Sequence, residues 1–258
     1  MNIVLLVGCA RSGTSILGEL IGSHPNVKYV FEAHAIWELG GKGINDSHRL
    51  TAERATPLVK NKIRNWFQEQ SQNTLTLVEK NPRNILRIPY IHEIFPEAKI
   101  IHIVRDGRDV ACSMAPGCGG EEWSHLKPPS WQEFYANYTG IERCVMAWKQ
   151  IMEIGLHDLQ AVPHLQIRYE DLVMNPALIA KEIFTYMELG LHSSVAEFCS
   201  RIANETSFFY HAKYQDHWYQ NNHRVRIGRW RENLTSMEQE SITNLLSSLL
   251  TRLGYPTD

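Results

Sequence analysis

The apolar run IVLLV (3–7), followed at once by GCARSGTS (8–15) and ILGELIGSHP (16–25), limits the fold more than any other stretch. A continuous apolar run suits a strand buried on both faces. A glycine-rich turn that then opens a helix presents backbone N–H groups and a helix N-terminus to an anion. The spacing is that of a phosphate-binding loop, G-x-x-x-x-G-K-[ST], except that Thr14 stands in the lysine position and Arg11 lies upstream. Triphosphate enzymes use that lysine on the β- and γ-phosphates and the next hydroxyl on Mg²⁺. The loop therefore predicts an anion site with different demands.

Further along, short apolar runs alternate with amphipathic stretches, which predicts an α/β fold, a central parallel β-sheet flanked by helices. Strands are expected at 3–7, 27–31, 75–79, 99–104 and 164–169. Helices are expected near 14–23, 53–71, 84–94, 107–114, 133–160, 176–188, 193–203 and 235–252. Thr235 with Glu238 reads as a capping box for the last helix. No repeat or low-complexity linker interrupts the chain, so residues 1–258 are expected to form a single domain. Two Gly/Pro-rich stretches, 38–47 and 115–130, read as surface loops, and the second is long enough to serve as an acceptor lid.

Bulk properties narrow the partners. A formal net charge of −2 argues against nucleic-acid binding, which usually shows a basic excess. Five cysteines without a C-x-x-C pair predict reduced thiols, and the histidines lack metal-ligand spacing, so no metal is expected. No run is long and apolar enough to span a bilayer, and the apolar N-terminus lacks a basic region before it. A cytoplasmic protein without an integral membrane segment is expected; its oligomeric state is left open.

A second anion segment follows the fourth strand, in IIHIVRDGRDVACSM (100–114). Arg105 stands at the strand's carboxyl end, where open α/β sheets bind ligands. Ser113 lies on the helix that follows, and both reach one anion only if that helix runs back past the strand end. The other reading is a solvated turn with self-paired charges.

A phosphosulfate carries less charge at its transferable end than a triphosphate, so an arginine fork and hydroxyls can replace lysine and metal. On these residues the chain resembles the sulfotransferases that use 3′-phosphoadenosine 5′-phosphosulfate (PAPS), with their P-loop-like nucleotide-binding architecture. The resemblance implies that Arg11, Ser12, Gly13, Thr14 and Ser15 hold the 5′-phosphosulfate, and that Arg105 and Ser113 clamp the 3′-phosphate. IRYEDLVMNP (167–176) resembles the family's Y-E-D segment and brings Tyr169 toward the nucleotide, unless it is only a strand-to-helix corner capped by Asp171. NNHRVRIGRWREN (221–233) resembles the segment that closes over the donor, with Arg224 for the 3′-phosphate, although Val225 stands where some members have glycine.

Sulfuryl transfer to a hydroxyl needs a base on the acceptor and positive charge on the leaving group. Glu32 and His34 in VFEAHAIWE are the base candidates; from Arg11 to Glu32 the chain aligns without a gap with tyrosylprotein sulfotransferases, placing Glu32 on their catalytic glutamate. LVEKNPRN (77–84) resembles the strand-end K-x-P that sets Lys80 on the bridging oxygen. The implied reaction moves a sulfuryl group from PAPS to an acceptor hydroxyl on a peptide tyrosine, sugar, lipid or small metabolite, leaving adenosine 3′,5′-bisphosphate (PAP). Two rivals remain: a P-loop kinase using ATP and Mg²⁺, and a non-catalytic nucleotide-binding protein.

Overall fold

Strands β1 (Asn2–Val7), β2 (Val27–Phe31), β3 (Thr76–Lys80), β4 (Lys99–Val104) and β5 (His164–Arg168) build one sheet in the order β2-β3-β1-β4-β5. All four pairings are parallel. Each strand falls within one residue of its expected bounds. The computed structural model describes residues 2–71, 74–115, 126–203 and 223–257. Most of the expected lid at 115–130 lies outside them.

Twelve helices connect and cover the strands among the described residues. The first four are α1 (Thr14–Gly22), α2 (His34–Trp37), α3 (Pro57–Ser71) and α4 (Ile88–Ile94). Then come α5 (Gly107–Met114), α6 (Trp131–Asn137), α7 (Gly140–Leu159) and α8 (Tyr169–Met174). The last are α9 (Pro176–Tyr186), α10 (Ser193–Ala203), α11 (Trp230–Asn233) and α12 (Ser236–Arg252). On one face of the sheet α1, α8, α9 and α10 pack against Val4, Leu6, Val78, Ile101, Ile103 and Ile167. On the other face α3 and α4 cover Leu5 and Leu77, while α5, α7 and α12 cover Val7, Ile100 and Val104.

Three expected helices are divided or shortened. The stretch 133–160 breaks because Tyr138 and Thr139 are extended and Gly140 takes φ +53°. The 53–71 helix starts late: Glu53 and Arg54 belong to a separate 3-10 turn, and Pro57 opens α3, the position where proline's missing N–H costs least. Ahead of α4, residues Pro82–Leu86 form a 3-10 turn. At the far end the capping box forms as expected: Thr235 Oγ1 accepts from the Glu238 N–H, and Glu238 Oε2 accepts from the Thr235 N–H at 2.8 Å. Thr235→Ala is expected to lower stability by about 1 kcal/mol in urea denaturation.

The sheet places chemistry at one edge. The winding reverses around β1, with β3 on one side and β4 on the other, which is where open α/β sheets form a crevice. Beyond the carboxyl ends of the five strands come the 8–15 loop, Glu32, Lys80 as the last residue of β3, Arg105 and Tyr169.

Candidate active site

The 8–15 loop wraps the start of α1. Gly13 caps that helix at φ +95°, and a Cβ there would meet Tyr169 Cδ2 at 2.4 Å. Only glycine fits both the left-handed backbone and the close approach. Arg11 is also left-handed at φ +69°, a strain that persists where the surroundings enforce it, often at functional sites.

Arg11, Gly13, Thr14, Ser15, Arg105, Ser113, Tyr169, His223 and Arg226 line one cleft, together with Ile16. Helix α5 does run back past the end of β4, so Arg11 Nε donates to Ser113 Oγ at 3.0 Å. Arg105 is buried; its Nη1 donates to the Arg11 carbonyl at 3.2 Å and its Nη2 to the Arg226 carbonyl at 2.5 Å. Its guanidinium also lies 4.6 Å from the centre of the Tyr169 ring. The Tyr169 hydroxyl meets His223 Nδ1 at 2.9 Å. Burial, with Arg226 and Arg105 nearby, lowers the His223 pKa to about 3.

These residues suit an anion. Three arginines, four hydroxyls and a helix N-terminus converge, and the buried Ser12 Oγ and Arg105 Nε have no hydrogen-bond partner among the described residues. Such orphaned donors are expected where a ligand completes the set. Of the expected donor residues, Ser12 and Arg224 do not line the cleft: Ser12 is buried within the loop, and Arg224 shares a 3-10 turn with Arg226, which lines the space with His223. Tyr169 begins α8 instead of ending β5, and Asp171 does not cap that helix.

Beside the cleft lies an ion-paired cluster. Lys80 Nζ is 2.5 Å from Glu32 Oε1, 3.4 Å from Ser15 Oγ and 3.6 Å from the Phe31 ring centre. Glu32 Oε2 lies 3.1 Å from His34 Nε2, and His34 Nδ1 lies 3.2 Å from the Asn81 amide. Glu32 is left-handed at φ +47°, while its N–H still donates to the Lys80 carbonyl at 2.8 Å. Burial pushes the Glu32 carboxyl up, but the His34 hydrogen bond and the Lys80 charge outweigh it and hold the pKa at about 2. Burial lowers the Lys80 pKa, with Glu32 as the main opposing charge. Lys80 is 1 % exposed, so its ammonium depends on these partners.

Two carboxylates escaped the sequence reading. Asp109 is buried and accepts from the Gly228 and Trp230 N–H groups at 2.7 and 3.2 Å, tying the 223–230 segment to α5. Glu79 is fully buried on the face of the sheet opposite Lys80. Burial raises its pKa to about 7, and the neighbouring hydrogen-bond donors and the Lys80 charge offset this only in part. The unfolded chain loses that proton near 4.5 and the native state holds it to about 7, so stability falls as pH rises between those values. The melting temperature of the wild type relative to Glu79→Gln is therefore expected to drop between pH 5 and pH 8.

Comparisons with known proteins agree with this geometry. Residues 4–193 match the sulfotransferase family. Nodulation protein NoeE of Sinorhizobium fredii (strain NBRC 101917 / NGR234) is 25% identical over 98% of this chain and 66% of its own length. A protein-tyrosine sulfotransferase of Drosophila melanogaster is 22% identical over 76% of this chain and 40% of its own. The chain thus spans less than two thirds of these relatives. Among solved structures, a sulfotransferase domain from the curacin biosynthetic pathway superposes with a TM-score of 0.62 at 14% identity, covering 99% of this chain and 98% of that one. Mouse sulfotransferase SULT7A1 complexed with PAP gives 0.54 at 14% identity, covering 97% and 85%. With the loop, the strand-end residues and this match over more than half of its length, the chain belongs to the sulfotransferase family.

Proposed function

We propose that this protein transfers the sulfuryl group of PAPS to an acceptor hydroxyl. One observation carries the reading: Lys80 Nζ lies near Ser15 of the anion cleft and against the Glu32 carboxylate. An anion site and an acid–base pair therefore share one lysine. PAPS supplies an activated sulfuryl group whose S–O bond to the 5′-phosphate breaks as the acceptor O–S bond forms.

The residues divide the work by position. Backbone N–H groups of 11–15, with the Ser12, Thr14 and Ser15 hydroxyls and the Arg11 fork, hold the phosphosulfate end. Arg105 and Ser113 hold the 3′-phosphate, joined by Arg226 and, on the same turn, Arg224. Tyr169 closes the nucleotide side. Lys80 places its charge on the oxygen that leaves with PAP, and Glu32 takes the acceptor proton. His34 orients Glu32 and is the second candidate for the base. While Lys80 is paired with Glu32, the carboxylate is too weak a base to be useful. Moving the ammonium toward the donor oxygen raises the Glu32 pKa when the acceptor needs it.

A kinase reading fits less well, because Thr14 stands where a triphosphate loop needs lysine. Peptide tyrosine is the first acceptor to try, on the gap-free match from Arg11 to Glu32. The four described cysteines are free and buried, as a reducing compartment keeps them, and we place the protein in the cytoplasm on that ground. No described helix is long and apolar enough to cross a membrane. The test is ³⁵S transfer from labelled PAPS to 4-nitrophenol, a tyrosine peptide and a neutral oligosaccharide, alongside γ-³²P transfer from ATP with Mg²⁺. Sulfuryl transfer to any probe supports the reading; phosphoryl transfer alone overturns it.

A further inference from the structure

Glu79 sits in the wrong layer for an acid. It pairs in register with Leu5 and Val30, and that face of the sheet is filled by Leu5, Leu77, Trp37 and Tyr90. A buried carboxylate in such a layer costs several kcal/mol unless its oxygens are met by donors. Hydrogen bonds reach it from both of the turns that carry the candidate chemistry. Oε1 accepts from the Ala33 N–H at 3.2 Å, at the residue between Glu32 and His34. Oε2 accepts from Asn84 Nδ2 at 3.0 Å, in the 3-10 turn that follows Lys80 and Asn81.

The turn it grips needs gripping. Glu32 is a non-glycine residue in the left-handed region, which persists only when its surroundings over-determine it. Its own N–H and carbonyl are engaged by the Lys80 carbonyl and the His34 N–H, at 2.8 and 2.7 Å. The next N–H, that of Ala33, would otherwise point into an apolar layer. Across the strand, Asn81 links the same two turns from above, through its amide on His34.

We propose that Glu79 is a positioning residue: its buried carboxyl ties the Glu32–His34 turn to the Lys80–Asn84 turn and holds Glu32 against Lys80 beside the cleft. This rests on the assignment of Glu32 and Lys80 to catalysis, but the tie itself is a structural claim that can be read without an acceptor.

The test follows the Glu32 side chain by ¹³C carboxylate NMR, its resonance assigned with Glu32→Gln. In the wild type it is expected not to titrate above pH 3.5. In Glu79→Leu the pair with Lys80 loosens and the midpoint is expected to rise by at least one unit toward 4.5, whereas Glu79→Gln, whose single carbonyl oxygen still accepts from Ala33 but no longer from Asn84, is expected to shift by clearly less. PAP affinity, measured by calorimetry, is expected to stay within about threefold in both variants, because the cleft is built from other residues. An unchanged Glu32 titration in Glu79→Leu, or an equal change in Glu79→Gln, overturns the proposal. Should Glu79→Leu fail to bind PAP, amide hydrogen exchange of the wild type decides: the Ala33 N–H is expected to exchange as slowly as the paired amides of β2, and exchange at the rate of an exposed loop overturns it. Failure of the sulfuryl-transfer assay would count against the catalytic reading and leave these measurements standing.

Discussion

Glu32→Gln is expected to lower kcat for sulfuryl transfer by about 10²–10⁴-fold, the range for loss of a positioned general base. Glutamine keeps the size and one acceptor for Lys80 or His34 but cannot take a proton. PAP affinity should stay within a few-fold, since Glu32 is not among the residues lining the anion cleft. The defect should also depend on the acceptor. Phenols of lower pKa need less help in losing their proton, so the wild-type advantage is expected to shrink along a series from phenol to 4-nitrophenol. A constant defect along the series would mean that Glu32 serves geometry and not proton transfer.

The second large effect is expected from Lys80→Met, about 10²–10³-fold in kcat, as for removal of one preorganised donor from developing negative charge. Methionine fills the buried stem space against Phe31 without the ammonium. The loss is expected to vary less with phenol pKa than that of Glu32→Gln, because Lys80 acts on the leaving oxygen and that oxygen is the same for every acceptor. In the same variant the Glu32 pKa should rise from about 2, with its strongest cationic neighbour gone.

The edge of the sheet explains how much of this was legible in sequence. Runs such as IIHIV suit strands buried on both faces, and strands appear at all five expected places. Helix 133–160 kept its periodicity through Tyr138 and Thr139, so local pattern hid a break that depends on extended backbone ahead of Gly140. Arg11, Arg105 and Ser113 were readable as candidate site residues because their spacing follows from a strand, a turn and one helix. That they touch was not readable, since it requires α5 to fold back over the loop.

Strand order was equally hidden. Glu32 meets Lys80 because β2 lies beside β3, a neighbour relation that no local pattern encodes. The same holds for Arg226 and His223, brought to Tyr169 across more than fifty positions of chain. Asp109 and Glu79 look like surface acids in the sequence, since carboxylates mostly are. Their burial comes from tertiary partners, the Gly228 and Trp230 N–H groups for one and Ala33 with Asn84 for the other.

The central claim is that this cleft is built for a donor with a 3′-phosphate as well as a 5′-phosphate. Calorimetric titration with PAP, with adenosine 5′-monophosphate and with ATP plus Mg²⁺ tests it most directly, in the wild type and in Arg105→Ala. PAP is expected to bind at least a hundredfold more tightly than adenosine 5′-monophosphate, and Arg105→Ala to remove most of that difference, as loss of a charge-assisted contact of a few kcal/mol implies. Equal affinity for the two nucleotides, or tighter binding of ATP with Mg²⁺, would contradict the account.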